Sequence, residues 1–252
     1  MSVLVYVDHA DGHIKKASYE ALTYGADLAK QSGLKAEAIL LGTVSDNLAD
    51  LGKYGITKVY QVADAGLDHT DALVQASVLA EAVKNTGAAI LVFSHNQSGK
   101  AVAPAAAAKL NAGIVAGAVA LPETSNGFVV KKSVFSGKAF ANVKILSDVK
   151  VISLNPNSYK VTTGEGIAEL SALNISVPAG KIKVTSVNKI SGEVSLTEAD
   201  VVVSGGRGLK GPENWGLVED LAKALHAATA CSRPVADSHW RPHHEHVGQT
   251  GI

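Results

Sequence analysis

Residues 199–252 read ADVVVSGGRGLKGPENWGLVEDLAKALHAATACSRPVADSHWRPHHEHVGQTGI, and the order of elements in this stretch decides the fold class. Val201, Val202 and Val203 form an apolar β-branched run, the composition of a strand buried on both faces. Ser204-Gly205-Gly206-Arg207-Gly208 makes a turn, and Pro212-Glu213 starts a helix, because Pro is tolerated in a first turn and Glu suits the positive end of the dipole. Leu217 or Val218, Leu221, Ala222 and Leu225 keep helical spacing on one face. Strand, glycine turn and helix in this order aim backbone N–H groups at a phosphate. The glycines fall as G-G-x-G, which is neither the dinucleotide fingerprint nor a Walker loop. Two later segments sharpen the reading: Ser232-Arg233-Pro234, where a second strand should end, and Val247-Gly248-Gln249-Thr250-Gly251, after a polar loop. Three small-residue segments, each carrying Arg, Ser or Thr, are expected to converge at the carboxyl ends of neighbouring parallel strands, where open α/β sheets bind ligands.

Working outward, the 252 residues suffice for one large or two modest domains with their own cores. With 23 basic and 23 acidic residues the formal charge is zero, which favours neither nucleic acid nor an anionic membrane as partner. Cys231 is the single cysteine, which rules out an internal disulfide and fits a reducing compartment. No apolar run reaches about 18 residues, so no membrane span is expected. The first strand begins at Val3, leaving no room for a leader peptide, and the expected location is cytoplasmic.

Residues 3–7 predict a strand, 17–32 a helix with Gly33 as its C-cap, and 36–41 a second strand. Residues 48–54 predict a short helix ending at Gly55, 57–60 a third strand, and 71–84 an amphipathic helix stopped by Asn85-Thr86-Gly87. Residues 89–93 predict a strand, followed by a polar turn through Lys100 and a helix over 101–110. This alternation implies right-handed crossovers and a mainly parallel sheet. Beyond Ile114, residues 128–135, 138–146 and 150–154 read as an antiparallel meander with a Ser136-Gly137 turn, and 181–187 as a further strand. Residues 187–199 form a polar linker that suits a domain boundary, giving domains of 1–190 and 191–252.

The segments GGRGLK, SRP and VGQTG, in that order and spacing, resemble the α subunit of an electron-transfer flavoprotein. The resemblance extends more loosely through SGKAVAPAAAAKLNAG, similar to the alanine-rich helix of that family's first domain, and through Phe135-Ser136-Gly137-Lys138-Ala139, which echoes its hairpin. It implies an α/β fold: a Rossmann-like, mainly parallel sheet with an antiparallel meander in an N-terminal scaffold and partner-docking domain, then an FAD-binding domain of the doubly wound type. The implied cofactor is FAD, contacted by Arg207, Ser232, Arg233, Val247, Gly248, Gln249 and Thr250. Arg233 would stand by the flavin's N1–C2=O side and raise its potential, and Thr250 would offer a hydroxyl to the reactive flavin nitrogen. The implied partners are an electron-transfer flavoprotein β subunit in a heterodimer, acyl-CoA or other flavin dehydrogenases as donors, as in fatty acid oxidation, and a quinone reductase or other acceptor. No covalent catalysis is implied, because the cofactor carries the chemistry. Family members continue beyond the QTG segment with a further strand and residues that hold the adenosine end. The resemblance therefore implies a C-terminally truncated, incomplete FAD-binding domain with uncovered edge strands, and weak FAD binding by this polypeptide alone.

Four other features have competing readings. Asp8 and His9, at a strand end, suit either a ligand or the start of the next helix. Ser98-Gly99-Lys100 suits either a structural turn or, in an adenine-nucleotide-binding α/β enzyme acting on ATP, a phosphate site; the following Ala101 lacks the hydroxyl that would hold magnesium. His239, His243, His244 and His246 form an HxxxHHxH pattern that reads as a solvated loop in preference to zinc ligands. Cys231 reads as a small buried residue, against an activated thiol beside Arg233.

Overall fold

The computed structural model describes residues 1–69, 71–187, 196, 199, 201–248 and 251, arranged as two compact units, Met1–Thr185 and Ser186–Ile252. Most of the linker expected over residues 187–199 lies outside the described residues. No described helix is long and apolar enough to cross a membrane.

In the first unit, strand β1 (Ser2–Tyr6) is followed by a two-residue ribbon, β2 (His9–Ala10) with β3 (His13–Ile14), and by helix α1 (Lys16–Ser32). Gly33 ends α1 in the left-handed conformation at φ 66°, which glycine adopts without a Cβ clash. Then come β4 (Lys35–Leu41), a 3-10 turn over Leu48–Tyr54, β5 (Lys58–Val62) and α2 (Ala72–Thr86). The chain continues through β6 (Ile90–Ser94), α3 (Gln97–Leu110), β7 (Gly113–Ala118), β8 (Phe128–Val134), β9 (Ala139–Ile145), β10 (Lys150–Leu154) and β11 (Glu169–Ala172). One nine-stranded sheet holds them in the order β11-β5-β4-β1-β6-β10-β7-β8-β9. The pairs from β11 to β7 are parallel, while β7–β8 and β8–β9 are antiparallel.

The period-2 pleat splits the central strands between two cores. Val3, Val5, Ala38, Leu40, Val92 and Ile152 pack under Leu22, Tyr24 and Leu28 of α1. Their neighbours Leu4, Tyr6, Ile39, Leu91, Phe93 and Val151 face the other way, under Leu79 and Val83 of α2 and Val102 and Ala106 of α3. The central strands are therefore apolar on both faces, and the unit is a three-layer α/β/α sandwich.

Four expectations are corrected in this unit. Residues 97–100 belong to the first turn of α3, because the Asn96 carboxamide caps it by accepting from the Gly99 N–H at 2.9 Å. Strand β10 is no arm of a meander. It lies parallel between β6 and β7, where Val151, Ile152 and Leu154 are buried. Strand β11 falls within residues 155–180, which read as the least regular stretch of the sequence because of their scattered Pro and Gly, and it pairs with β5 at the sheet edge. Residues 181–187 form no strand, and Ile182, Val184 and Val187 are exposed.

The second unit contains β12 (Val202–Gly205), 3-10 turns over Arg207–Leu209 and Pro212–Asn214, α4 (Gly216–Leu225), β13 (Ala228–Cys231), α5 (Arg233–Asp237) and a 3-10 turn over His243–Glu245. Strands β12 and β13 are parallel, and a small core joins Trp215, Val218, Cys231, Val235 and Ala236. Val201 and Val202 are exposed, which corrects the expectation of a strand buried on both faces. Among the described residues β12 pairs only with β13, so its other edge is open. On α4 the buried positions are Val218 and Ala222, whereas Leu217, Leu221 and Leu225 face solvent. The helical period is as expected; the face that packs is the narrower of its two apolar stripes.

Candidate functional site

The three turns of the second unit are brought together by register. Gly205 pairs with Cys231 across β12 and β13, and Cys231 forms a parallel bridge with His246. The next residues therefore stand in line: Gly206 and Ser232 just beyond the carboxyl ends of β12 and β13, and Val247 just beyond the isolated bridge at His246. Neighbouring strands lie about 4.8 Å apart, so the row spans roughly 10 Å. Backbone hydrogen bonds fix it: the Ser232 N–H donates to the Gly205 carbonyl at 3.0 Å, and the Val247 N–H to the Cys231 carbonyl at 3.0 Å.

At the tips, Arg207 is the first residue of a 3-10 turn and is exposed; among the described residues its guanidinium has no ion pair. Ser232 precedes α5, and its hydroxyl makes no capping hydrogen bond. Arg233 opens α5 and pairs with Asp237 at 3.3 Å in an exposed i, i+4 pair, which leaves its guanidinium in reach of solvent. Gly248 has φ 124°, a conformation that side chains rarely adopt, with open space where a Cβ would stand. Gln249 and Thr250 lie outside the described residues.

A Cβ placed on Gly206 would sit 3.6 Å from the Ser232 hydroxyl oxygen, in the notch between the first two turns. A Cβ on Gly208 would meet nothing within 4 Å. The tips thus offer two guanidinium groups, a hydroxyl and open glycine backbone, with Asp237 the carboxylate beside Arg233. This donor set and cradle fit a flat ligand bearing phosphates.

Behind the turns, burial and then the nearby Glu245 carboxylate push the Cys231 thiol above its ordinary range, so it is a packed core residue and no activated nucleophile. His239 and His243 meet edge to face at 6.4 Å, and among the described residues no group of three or more His, Cys, Asp or Glu could hold a metal ion.

In the first unit Asp8 is tied to the start of α1, accepting from the Lys15 ammonium at 2.9 Å while its N–H donates to the Ser18 hydroxyl at 3.0 Å. A Cβ on Gly99 would collide with the Ser94 carbonyl oxygen, so this glycine allows α3 to start close against β6. With its N–H already held by Asn96, the Ser98–Lys100 turn is built by packing and capping. A cavity of about 300 Å³ opens alongside, lined by His95, Lys100, Lys132 and Ser153 over an apolar floor. Desolvation, and then the charges of Lys100 and Lys132, lower the His95 pKa, and its Nδ1 lies 2.9 Å from the Ser153 hydroxyl.

Two α/β units, the second with three turns gathered at the carboxyl edge of a parallel sheet, define a protein of the class whose ligands sit outside strand ends. The profile of the electron transfer flavoprotein domain matches residues 3–181, and that of the electron transfer flavoprotein FAD-binding domain matches residues 195–252. The chain belongs to the electron transfer flavoprotein family, as an α subunit, and its cofactor is FAD. It is 32% identical over 251 residues to the electron transfer flavoprotein subunit alpha of Syntrophomonas wolfei, covering 98% of this chain and 78% of that protein. The subunit alpha of Mycobacterium leprae is 31% identical over 98% of this chain and 77% of its own length. A subunit of the lactate dehydrogenase (NAD(+),ferredoxin) of Acetobacterium woodii is 26% identical, over 99% of this chain and 61% of that protein.

Proposed function

We propose that this chain carries electrons from flavin dehydrogenases to a downstream acceptor as the FAD-bearing subunit of an αβ heterodimer. The observation that carries the reading is the alignment of Gly206, Ser232 and Val247 just beyond the ends of β12 and β13 and the bridge at His246. Bound FAD supplies the redox chemistry, taking up and releasing electrons. Arg207 binds a phosphate or the flavin edge by charge and by its fork of donors. Ser232 and Arg233 would hold the flavin on its N1–C2=O side, where a guanidinium would favour the negative charge that reduction brings. Val247 and Gly248 let backbone approach the ring closely. By resemblance, Gln249 and Thr250 would also contact the flavin. In the first unit Phe135 and Phe140, exposed on and beside the β8–β9 hairpin, supply apolar surface for the β subunit. A cytoplasmic location agrees with the unpaired, buried Cys231.

The deciding experiment is co-expression with a β-subunit partner, followed by a visible spectrum and a redox titration. One bound FAD per pair is expected. Arg233→Gln should lower the flavin potential by roughly 20–60 mV, the equivalent of about 1–3 kcal/mol for a two-electron couple. A colourless complex would overturn the proposal, and an unchanged potential in Arg233→Gln would remove Arg233 from its role.

A further inference from the structure

We propose that Arg241 is a positioning residue for the flavin site, holding the third turn in line with the other two. This rests on the assignment of Val247 and Gly248 to that site. Arg241 lies in the loop between α5 and His246, and its guanidinium grips a carboxylate on either side. Its Nε donates to both oxygens of Glu245 at 2.9 and 3.1 Å, and its Nη2 donates to Glu245 Oε1 at 2.6 Å. Its Nη1 donates to Glu219 Oε1 on α4 at 3.0 Å. The guanidinium carbon stands 5.6 Å from the ring centroid of Trp215, the largest side chain of the unit's core.

Glu245 is only 3% exposed and immediately precedes His246, the residue that bridges to Cys231. It also accepts from the Thr229 hydroxyl of β13 at 3.4 Å. Helix α4, strand β13 and the entry to the third turn are thus tied through one planar cation. A carboxylate buried this deeply is tolerated only with a close charge partner. Among the described residues two carboxylates, Glu219 and Glu245, face the guanidinium, so its charge is engaged within the protein. Its influence on a ligand at Val247 and Gly248 is therefore geometric. Lysine cannot reproduce this, because an ammonium is a point charge without the fork that spans Glu219 and Glu245 together.

The test uses the full chain with its partner and three variants: Arg241→Lys, Arg241→Met, and Arg241→Met combined with Glu245→Met. The double variant leaves no orphaned buried charge, so it separates lost positioning from simple unfolding. Hydrogen exchange is read on peptides covering residues 246–248, and FAD affinity by titration of apoprotein. Exchange in those peptides should accelerate at least about tenfold in all three variants, with peptides of α4 and β13 protected as in the wild type for the double variant. FAD affinity should fall roughly 10–100-fold, the range seen when outer partners of a ligand-holding residue are removed, with Arg241→Lys the mildest. Wild-type exchange and affinity in the double variant would overturn the proposal and leave Arg241 as a neutraliser of Glu245. Failure of the wild type to take up FAD would sink the functional reading instead, while the exchange measurement would still judge the clamp.

Discussion

Gly205 ends β12 beneath Trp215: a Cβ there would lie 2.7 Å from two carbons of the indole ring and 3.0 Å from Leu209 Cδ1. Trp215 anchors the core of the second unit, so Gly205→Ala would wedge that core open. The expected loss is about 1–3 kcal/mol, the usual penalty for overpacking, seen as a lower urea midpoint of tryptophan fluorescence. Gly208→Ala, where a Cβ meets nothing within 4 Å, should stay within about 0.5 kcal/mol of the wild type. Equal midpoints for the two variants would refute this account of Gly205. The pair also shows why the glycine turn was only partly legible. Removing a Cβ serves close packing and ligand access alike, and a sequence does not tell one from the other. Of the glycines in GGRG, Gly206 and Gly208 keep an open side, while Gly205 is consumed by the fold. Cys231 was legible for a plainer reason, since a small apolar residue at the end of a strand has a core to fill.

Among the elements, those with local signals are legible in the sequence. Helix α2 begins where Asp71 accepts from the Leu73 and Val74 N–H groups at 2.9 and 3.0 Å. Asp71→Ala should therefore remove about 1 kcal/mol, and Asp71→Ser should restore most of it, measured by the thermal midpoint of the helical circular dichroism signal. A midpoint unmoved by Asp71→Ala would mean that α2 is held by packing alone. Strand β10 had no comparable signal. Its sequence neighbours β8 and β9 form a hairpin, and continuing that hairpin is the simplest local choice. What decides otherwise is burial on both faces of Val151 and Ile152, one in each core. Only a place inside the parallel sheet provides that, and the place depends on β6 and β7, far away in sequence. On α4 the spacing fits two adjacent stripes, and it is Trp215, just before the helix, that selects Val218 and Ala222 as the packed one. Similarly, Arg241 carries no motif, because its role follows from partners contributed by separate elements, Glu245, Glu219 and Trp215 among them.

At the scale of the whole molecule the two units differ greatly in how much apolar surface they bury. The first has two extensive cores on either side of a nine-stranded sheet, whereas among the described residues the second rests on a handful of buried side chains around Trp215 and has an open edge on β12. The alternation of strand and helix announced the α/β class, but this imbalance depends on which strands find neighbours, a long-range property. It has a measurable consequence, because both tryptophans of the chain, Trp215 and Trp240, belong to the second unit. Tryptophan fluorescence therefore follows that unit, while far-ultraviolet circular dichroism is dominated by α1, α2 and α3 of the first. In urea the fluorescence transition should come at lower denaturant than the dichroism transition, since the smaller core offsets less conformational entropy. Added FAD should move the fluorescence transition upward, by about 2.7 kcal/mol at one hundred times its dissociation constant, and leave the dichroism transition in place. Coincident transitions that shift together with FAD would mean that the units unfold as one cooperative body. Separate transitions with only the fluorescence one responding would locate the cofactor in the second unit without reference to any relative.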